Sequence, residues 1–314
     1  MEVVRGVSEF TRRPVRPVLT IGNFDGLHVG HQKILATVIE RARQLDGESV
    51  LYTFDPHPRK VLQGDGGPRL LTTTEQKLEI LDEIGIDWVV LQPFDLEFAR
   101  TTPEQFVEEQ IRRGIGPVEV YVGYDFHFGR DREGSMRLLT ERGPHLGFSV
   151  TIIPEVMVGD RDVNSTRIRG LIADGAVEEA RELLGRPYCV RGPVVEGMRR
   201  GRDMGFPTAN LEPHNEILPG AGVYAGHVRI LEGVGQGETH GVVTNVGYRP
   251  TFDDGRDLVA EAHVLDFEGD LYGAVVELSF ETQLRREQKF DSVDTLRERI
   301  RVDVEEARAW LQRG

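Results

Sequence analysis

The sequence predicts an α/β protein in two parts: a parallel sheet with helices on both faces, then an antiparallel β-rich half, barrel or sandwich, closed by one helix. Three observations carry this. Short apolar runs alternate with amphipathic stretches through the first part, at about 30 to 40 residues per unit, the rhythm of strand–helix–strand crossovers. Past "ELLGRPYCVRG" the rhythm changes to β-patterned runs with short glycine-containing connections. The chain has 314 residues, more than one core usually serves, which predicts two domains with a boundary near Gly185 to Tyr188.

The elements follow in order. "PVLTIGNF", "SVLYTFDPH", "DWVVLQPFD", "VEVYVGYDF" and "SVTIIPEV" read as buried strands. "HQKILATVIERARQL", "TTEQKLEILDEIG", "TPEQFVEEQIRRGI" and "MRLLTERGPHLG" read as the helices between them. In the second part "YCVRGPVVEG", "GVYAGHVRIL", "HGVVTNVG", "LVAEAHVLDF" and "YGAVVELSF" read as strands. Val293, Leu296, Ile300, Val304, Ala307 and Leu311 form the apolar stripe of a terminal helix, with Asp291 or Ser292 as its N-cap. No internal repeat or long disordered linker is visible.

Hydrophobic content of 39% and charged content of 29% belong to a globular chain with ample core. No run of roughly 18 apolar residues appears, and "MEVVRGVSEF" lacks a signal-peptide stretch, so a cytoplasmic protein with no membrane partner is expected. The formal charge of −14 argues against nucleic acid as a partner, and any polyanion must be held by local positive groups. Cys189, the only cysteine, excludes an intrachain disulfide and a cysteine-cluster metal site.

Ligands of parallel sheets bind at the carboxyl ends of strands. Three segments with chemistry follow strands here: the turn Gly22 to His31, "FDPHP" and "GYDFHFG". They are expected to line one crevice. In the first, His28 and His31 lie three apart at a helix start, where backbone N–H groups and the helix dipole favour an anion such as phosphate, and Gly22, Gly26 and Gly30 let a ligand approach the backbone. A histidine there is also an ordinary cap, and nothing nearby completes a zinc pattern. "NSTRIRGLI" puts Ser165 and Thr166 at a helix start as caps or phosphate ligands, with Arg169 suited to a triphosphate tail. Phe54, Phe126 and Phe128 offer aromatic faces for a planar heterocycle or simply core. In the second part, "GRDMGFPTANL" combines Gly201 and Gly205 with the oxygens of Thr208 and Asn210, either a phosphate and magnesium loop or a surface turn, and it is no Walker A motif. Glu261 in an apolar alternating strand is a candidate general base or a solvent-facing residue.

"GNFDGLHVGH", "FDPHP", "VGYDFHFG" and "STRIR", in that order, resemble the adenylyltransferase half of bacterial bifunctional FAD synthetases, within the nucleotidylyltransferase superfamily marked by histidine-x-glycine-histidine. "GFPTAN", "GVYAG", "PTF" and the "EAHVLDF" to "KFDSVDTL" tail closely resemble riboflavin kinase, so the resemblance spans about residues 15 to 312. It implies a Rossmann-like nucleotidylyltransferase domain, an FMN adenylyltransferase over 1–185, and an antiparallel β-barrel riboflavin kinase domain over 186–314. It further implies His28 and His31 as stabilisers of adenylyl transfer; Gly22, Phe24, His28, His31, Ser165, Thr166 and Arg169 on ATP; and Asp55, His57 and Asp125 on the flavin. In the kinase half it implies Gly201, Gly205, Thr208 and Asn210 on ATP phosphates, Thr208 and Asn210 on magnesium, and Glu261 as base. The implied ligands are riboflavin, FMN, FAD and ATP with Mg²⁺, on a monomer or weak homo-oligomer. One departure stands out: Asn164 occupies a position where the family usually has serine. A cytidylyltransferase for another phosphorylated alcohol would leave the second half without a task, and a flavin-binding sensor would have no need of the intact site residues.

Overall fold

Val18 and Leu19 are neighbours in the chain and enter different cores. That split follows from strand geometry, because successive side chains point to opposite faces of a sheet and both faces here are covered. The computed structural model describes residues 1–124, 126–197, 205–250 and 256–313. Its chain divides into two compact units, Met1–Asn164 and Ser165–Gly314.

The first unit is a six-stranded, all-parallel sheet. Strands β1 (Glu2–Val4), β2 (Val18–Ile21), β3 (Ser49–Asp55), β4 (Trp88–Pro93), β5 (Glu119–Gly123) and β8 (Ser149–Ile153) lie in the order β1-β4-β3-β2-β5-β8. Helices α1 (Val29–Gln44) and α3 (Thr74–Ile84) supply Leu35, Val38, Ile39, Ala42 and Leu81 to the core on one face. The opposite core takes Phe106, Val107, Ile111 and Ile115, together with Leu139 from α5 (Met136–Leu146). Strands β2, β3 and β4 progress outward in one direction, and the chain then returns to place β5 on the other side of β2. The β2/β5 seam is therefore the switch point at which such sheets bind ligands.

The helix expected at "TPEQFVEEQIRRGI" is an α-turn, α4 (Pro103–Gln105), running into a π-helical stretch, Phe106–Ile115, whose wider winding shows in the Gly116 N–H donating to the Ile111 carbonyl at 2.8 Å. Short pieces complete this unit: α2 (Pro58–Gln63), β6 (His127–Phe128) paired with β7 (Gly134–Ser135), and β9 (Met157–Val158) paired with β10 (Arg161–Asp162).

In the second unit α6 (Ser165–Ala173) and α7 (Val177–Leu184) precede the strands β11 (Tyr188–Val195), β12 (Ala209–Leu211), β13 (Gly222–Glu232), β14 (Thr239–Pro250), β15 (Arg256–Val264), β16 (Val275–Phe280) and β17 (Thr282–Arg286). The order β14-β15-β12-β11-β16-β13 returns to β14, so six antiparallel strands close into a barrel, with β17 also paired to β13. Of the two alternatives open from sequence rhythm, the barrel is the one formed, and closure leaves the ring without free edges. Helix α7 packs with the barrel: Glu178 accepts hydrogen bonds from the Thr282 hydroxyl and the Gln283 N–H. The compact units thus part at 164/165, ahead of the junction read near Gly185.

The terminal helix α8 (Val293–Leu311) has Ser292 as its N-cap, in a capping box with Thr295. Ala307, Val304 and Leu311 cover Val223, Ala225, Val243 and Leu265. Asp303, 2% exposed, accepts two hydrogen bonds from Arg285 Nε and one from Nη2 at 2.9–3.0 Å, and another from Arg299 at 2.9 Å. Removing one partner of a buried pair strands the other charge. Asp303→Ala is expected to destabilise the second unit by about 3 kcal/mol, read as a lower urea midpoint.

Candidate active sites

The backbone must leave the buried strand β2 and enter α1 within a few residues. Gly22 ends the strand with its N–H donating to the Tyr52 carbonyl. Phe24 (φ 49°), Gly26 (φ 77°) and Leu27 (φ 43°) are all left-handed, a conformation that costs a non-glycine residue roughly 1 kcal/mol or more. Neighbours hold the turn in place. The Leu71 N–H donates to the buried Asp25 carboxylate at 3.0 Å, and the Gly26 N–H donates to Thr72. Lys77 Nζ donates to the Asn23 carbonyl at 2.9 Å, joined there by the Thr53 hydroxyl at 3.2 Å.

His28 is the N-cap of α1, and its Nδ1 accepts the His31 N–H at 3.3 Å. A backbone N–H can only donate, so Nδ1 carries no proton and the ring N–H is at Nε2. The His28 and His31 rings stack at 3.6 Å with 15° between planes, and the Phe24 ring lies 4.7 Å from that of His31, tilted by 38°. His28 is 6% exposed and His31 half-buried. Gly30 is what lets the ring lie down: a Cβ there would stand 3.1 Å from His28 Nδ1.

The second segment ends the neighbouring strand. Asp55 accepts a hydrogen bond from the Thr74 hydroxyl at 3.1 Å, and His57 caps α2 by accepting the Arg59 N–H at Nδ1. Phe94 meets Phe54 and Phe98 edge-to-face, Phe54 and Phe98 lie tilted to each other, and Phe126 stacks on Phe128. Phe54, Phe94, Phe98 and Phe126 are only partly buried, so these aromatics are core on one side and surface on the other, whereas Phe128 is buried. Since β3, β2 and β5 are adjacent and parallel, their carboxyl ends lie side by side, and the three segments start from one end of the sheet. Asp125 lies outside the described residues. Asn164, in the same unit, donates its amide to Asp162.

Lys77 escapes the sequence reading. It lies in the amphipathic stretch "TTEQKLEILDEIG" yet is 8% exposed, and burial pushes its pKa down against the opposing charges of Asp25 and Asp55.

In the second unit Ser165 and Thr166 open α6, and Arg169 lies one turn on, half-buried. Gly201 lies outside the described residues. Gly205 and Thr208 are in the segment leading to β12, where the Pro207 carbonyl accepts from His263 Nδ1 at 2.8 Å and Phe206 meets the His263 ring edge-on. Register places Asn210 of β12 directly opposite Glu261 of β15, and Glu261 directly opposite Asn245 of β14. Directly paired residues share a face, so the three side chains form one row across three strands. Asn245 is the second residue the sequence reading missed, a polar side chain within the strand read at "HGVVTNVG". Asn210 Oδ1 is buried without a hydrogen-bond partner among the described residues. A buried, unsatisfied amide oxygen suits a hard cation, and magnesium needs few protein ligands when phosphates and water supply the rest. Among the described residues no group of three or more His, Cys, Asp or Glu could hold a metal.

Hydrogen-bond donors over an anion-favouring helix end suit nucleotidyl transfer, and a strand carboxylate flanked by amides suits phosphoryl transfer to a hydroxyl. Fold and sites together define a two-part phosphate-transferring enzyme. The family model of FAD synthetase matches residues 11–167, and that of riboflavin kinase matches 184–311. Bifunctional riboflavin kinase/FMN adenylyltransferases from Haemophilus influenzae and Escherichia coli K12 are 34% identical over 311 residues and 37% identical over 312 residues. The match covers 99% of this chain in each case, and 99% and 98% of the respective relatives. A crystal structure from Streptococcus pneumoniae, described as a macrolide-efflux protein, superposes with a TM-score of 0.88 at 31% identity, covering 98% of this chain and 99% of that one. Among the described residues no helix is long and apolar enough to cross a membrane. The chain belongs to the bifunctional riboflavin kinase/FMN adenylyltransferase family. Its two activities are phosphorylation of riboflavin to FMN and adenylylation of FMN to FAD.

Gly30→Ala tests the local geometry against simple stability. The added Cβ presses on His28, while alanine favours a helix over glycine by about 1 kcal/mol. FAD formation is expected to fall about tenfold, through misplacement of the reacting group, with FMN formation and melting temperature maintained.

Proposed function

We propose that the turn Gly22–His31 performs adenylyl transfer and that the row Asn210–Glu261–Asn245 performs riboflavin phosphorylation. The observation that carries the first assignment is the His28 tautomer: with Nδ1 occupied by the His31 amide, Nε2 presents its proton as a fixed donor. An FMN phosphate is already ionised and needs no strong base to attack the ATP α-phosphate. The protein's contribution is position and charge stabilisation, supplied by imidazole N–H and helix-end N–H groups that need no reorganisation as charge develops. Gly22 and Phe24 line the nucleotide's approach. Ser165, Thr166 and Arg169 keep the ATP-phosphate role that their motif implies, which sets the functional boundary at 185/186. Asp55, His57 and Asp125 orient the flavin, with Phe54, Phe94 and Phe98 as faces for its ring system.

In the kinase reaction Glu261 accepts the proton of the ribityl 5′-hydroxyl as that oxygen attacks the γ-phosphate and ADP leaves. Asn210 and Thr208 would hold Mg²⁺ arriving with ATP, with Gly201 and Gly205 in the loop beside the phosphates. The ion supplies charge neutralisation on those phosphates. Asn245 stands directly across from Glu261 in strand register. The reading is of a cytoplasmic enzyme, a monomer or weak oligomer, acting on small molecules without nucleic acid or membrane.

Separate single-site variants test the assignment in one chain. His28→Ala is expected to lower FAD formation by about 10² or more while FMN formation continues, the loss typical of one preorganised donor. Glu261→Gln is expected to suppress FMN formation and spare conversion of supplied FMN to FAD. Chromatographic time courses with riboflavin, FMN and FAD resolved read both. Equal loss of the two activities in either variant contradicts the division of labour.

A further inference from the structure

Burying an ammonium group is expensive, and an apolar side chain of Lys77's length would fill the same space at less cost. What Lys77 does with its donor is therefore informative. Its Nζ reaches the Asn23 carbonyl at 2.9 Å, and the Thr53 hydroxyl reaches the same oxygen from β3. Two donors thus draw that carbonyl inward. The Asn23–Phe24 peptide is trans, and in a trans unit C=O and N–H point in opposite directions. Drawing the carbonyl inward turns the Phe24 N–H away from Lys77. It also fixes the peptide that enters the left-handed Phe24, whose ring then packs beside His31.

We infer that Lys77 is a positioning residue for adenylyl transfer: through the Asn23 carbonyl it aims the Phe24 N–H outward as an anion-facing donor and holds the Phe24–His31–His28 stack in register. This rests on reading the Gly22–His31 turn as the adenylyl-transfer site. The ligand that the outward N–H faces is a phosphate oxygen of the nucleotide, the one class of group that a bare backbone donor, a helix end and two imidazoles favour together. The surrounding charges fit an orienting role. Asp25 and Asp55 flank the ammonium, and each carboxylate is itself tied by a hydrogen bond, Asp25 to the Leu71 N–H and Asp55 to the Thr74 hydroxyl. The ammonium is thereby held by partners that are themselves held.

Lys77→Met removes the donor and keeps length and apolar bulk. The expected result is a fall in kcat for FAD formation from FMN and ATP of about tenfold or more, with KM for both substrates within about twofold, the pattern of an interaction made chiefly in the transition state. FMN formation by the same chain reports that it is folded. A second readout is specific to aim: the Phe24 amide proton resonance is expected to move downfield when ATP is added to the wild-type chain, and to lose that response in Lys77→Met. Should Lys77→Met not yield soluble protein, Lys77→Leu, which likewise has no donor, carries the same measurements. An unchanged kcat, a Phe24 response that persists, or equal loss of both activities overturns the inference. His28→Ala separates the two levels: its inactivity with Lys77→Met fully active overturns the Lys77 role alone, whereas full activity of both overturns the site reading and the Lys77 role with it.

Discussion

A parallel sheet covered on both faces leaves its chemistry nowhere to go but the strand ends, and the first unit is organised by that constraint. Val18 and Leu19 are committed to opposite cores, so the first residues of β2's surroundings free to meet a ligand are those of the turn that follows. The turn lies at the point where the chain reverses its progress across the sheet. Left-handed backbone at Phe24 and Leu27 costs energy there, and the hydrogen bonds from the segment around Leu71, Thr72 and Lys77 offset it. The result is a histidine that caps a helix with one nitrogen and presents a proton on the other. The same contact that caps the helix sets the tautomer.

The second unit meets the opposite constraint. In an antiparallel ring each side chain's neighbours are set by register, and a slip of one residue would send Glu261 to the barrel interior and an alanine into its place. Hydrophobic alternation guards against this: Ala260 and Ala262 are buried while Glu261 between them is not. Folding specificity and the placement of Glu261 are the same property of β15.

Most of this architecture was legible because periodicity reports burial. The five longer strands of the first half, its helices and the stripe of α8 all carry strong patterns, and the histidine turn announces itself through Gly22, Gly26 and Gly30 and a helix start. Strands β1 and β12 escaped because three residues are too few to show alternation, and β17, "TQLRR", because its composition is polar. The π-winding of 106–115 preserves an amphipathic pattern and so leaves no mark on it. Lys77 was invisible for a deeper reason. In sequence it is one polar position among others on a helix, and its burial depends on Asn23 and Asp25, more than fifty residues earlier. Asn245 likewise acquires meaning only from a strand pairing. The candidate site was legible where function requires a local motif, and illegible where function depends on what the fold brings alongside.

Strand β12 is three residues long and bridges β11 to β15. It is the thinnest stave of the barrel, and it is the stave that carries Asn210. A second unit whose other strands had paired but whose ring stood open at this seam would lack the Asn210 amide opposite Glu261. Closing the barrel and setting Asn210 opposite Glu261 thus depend on the same three residues of chain.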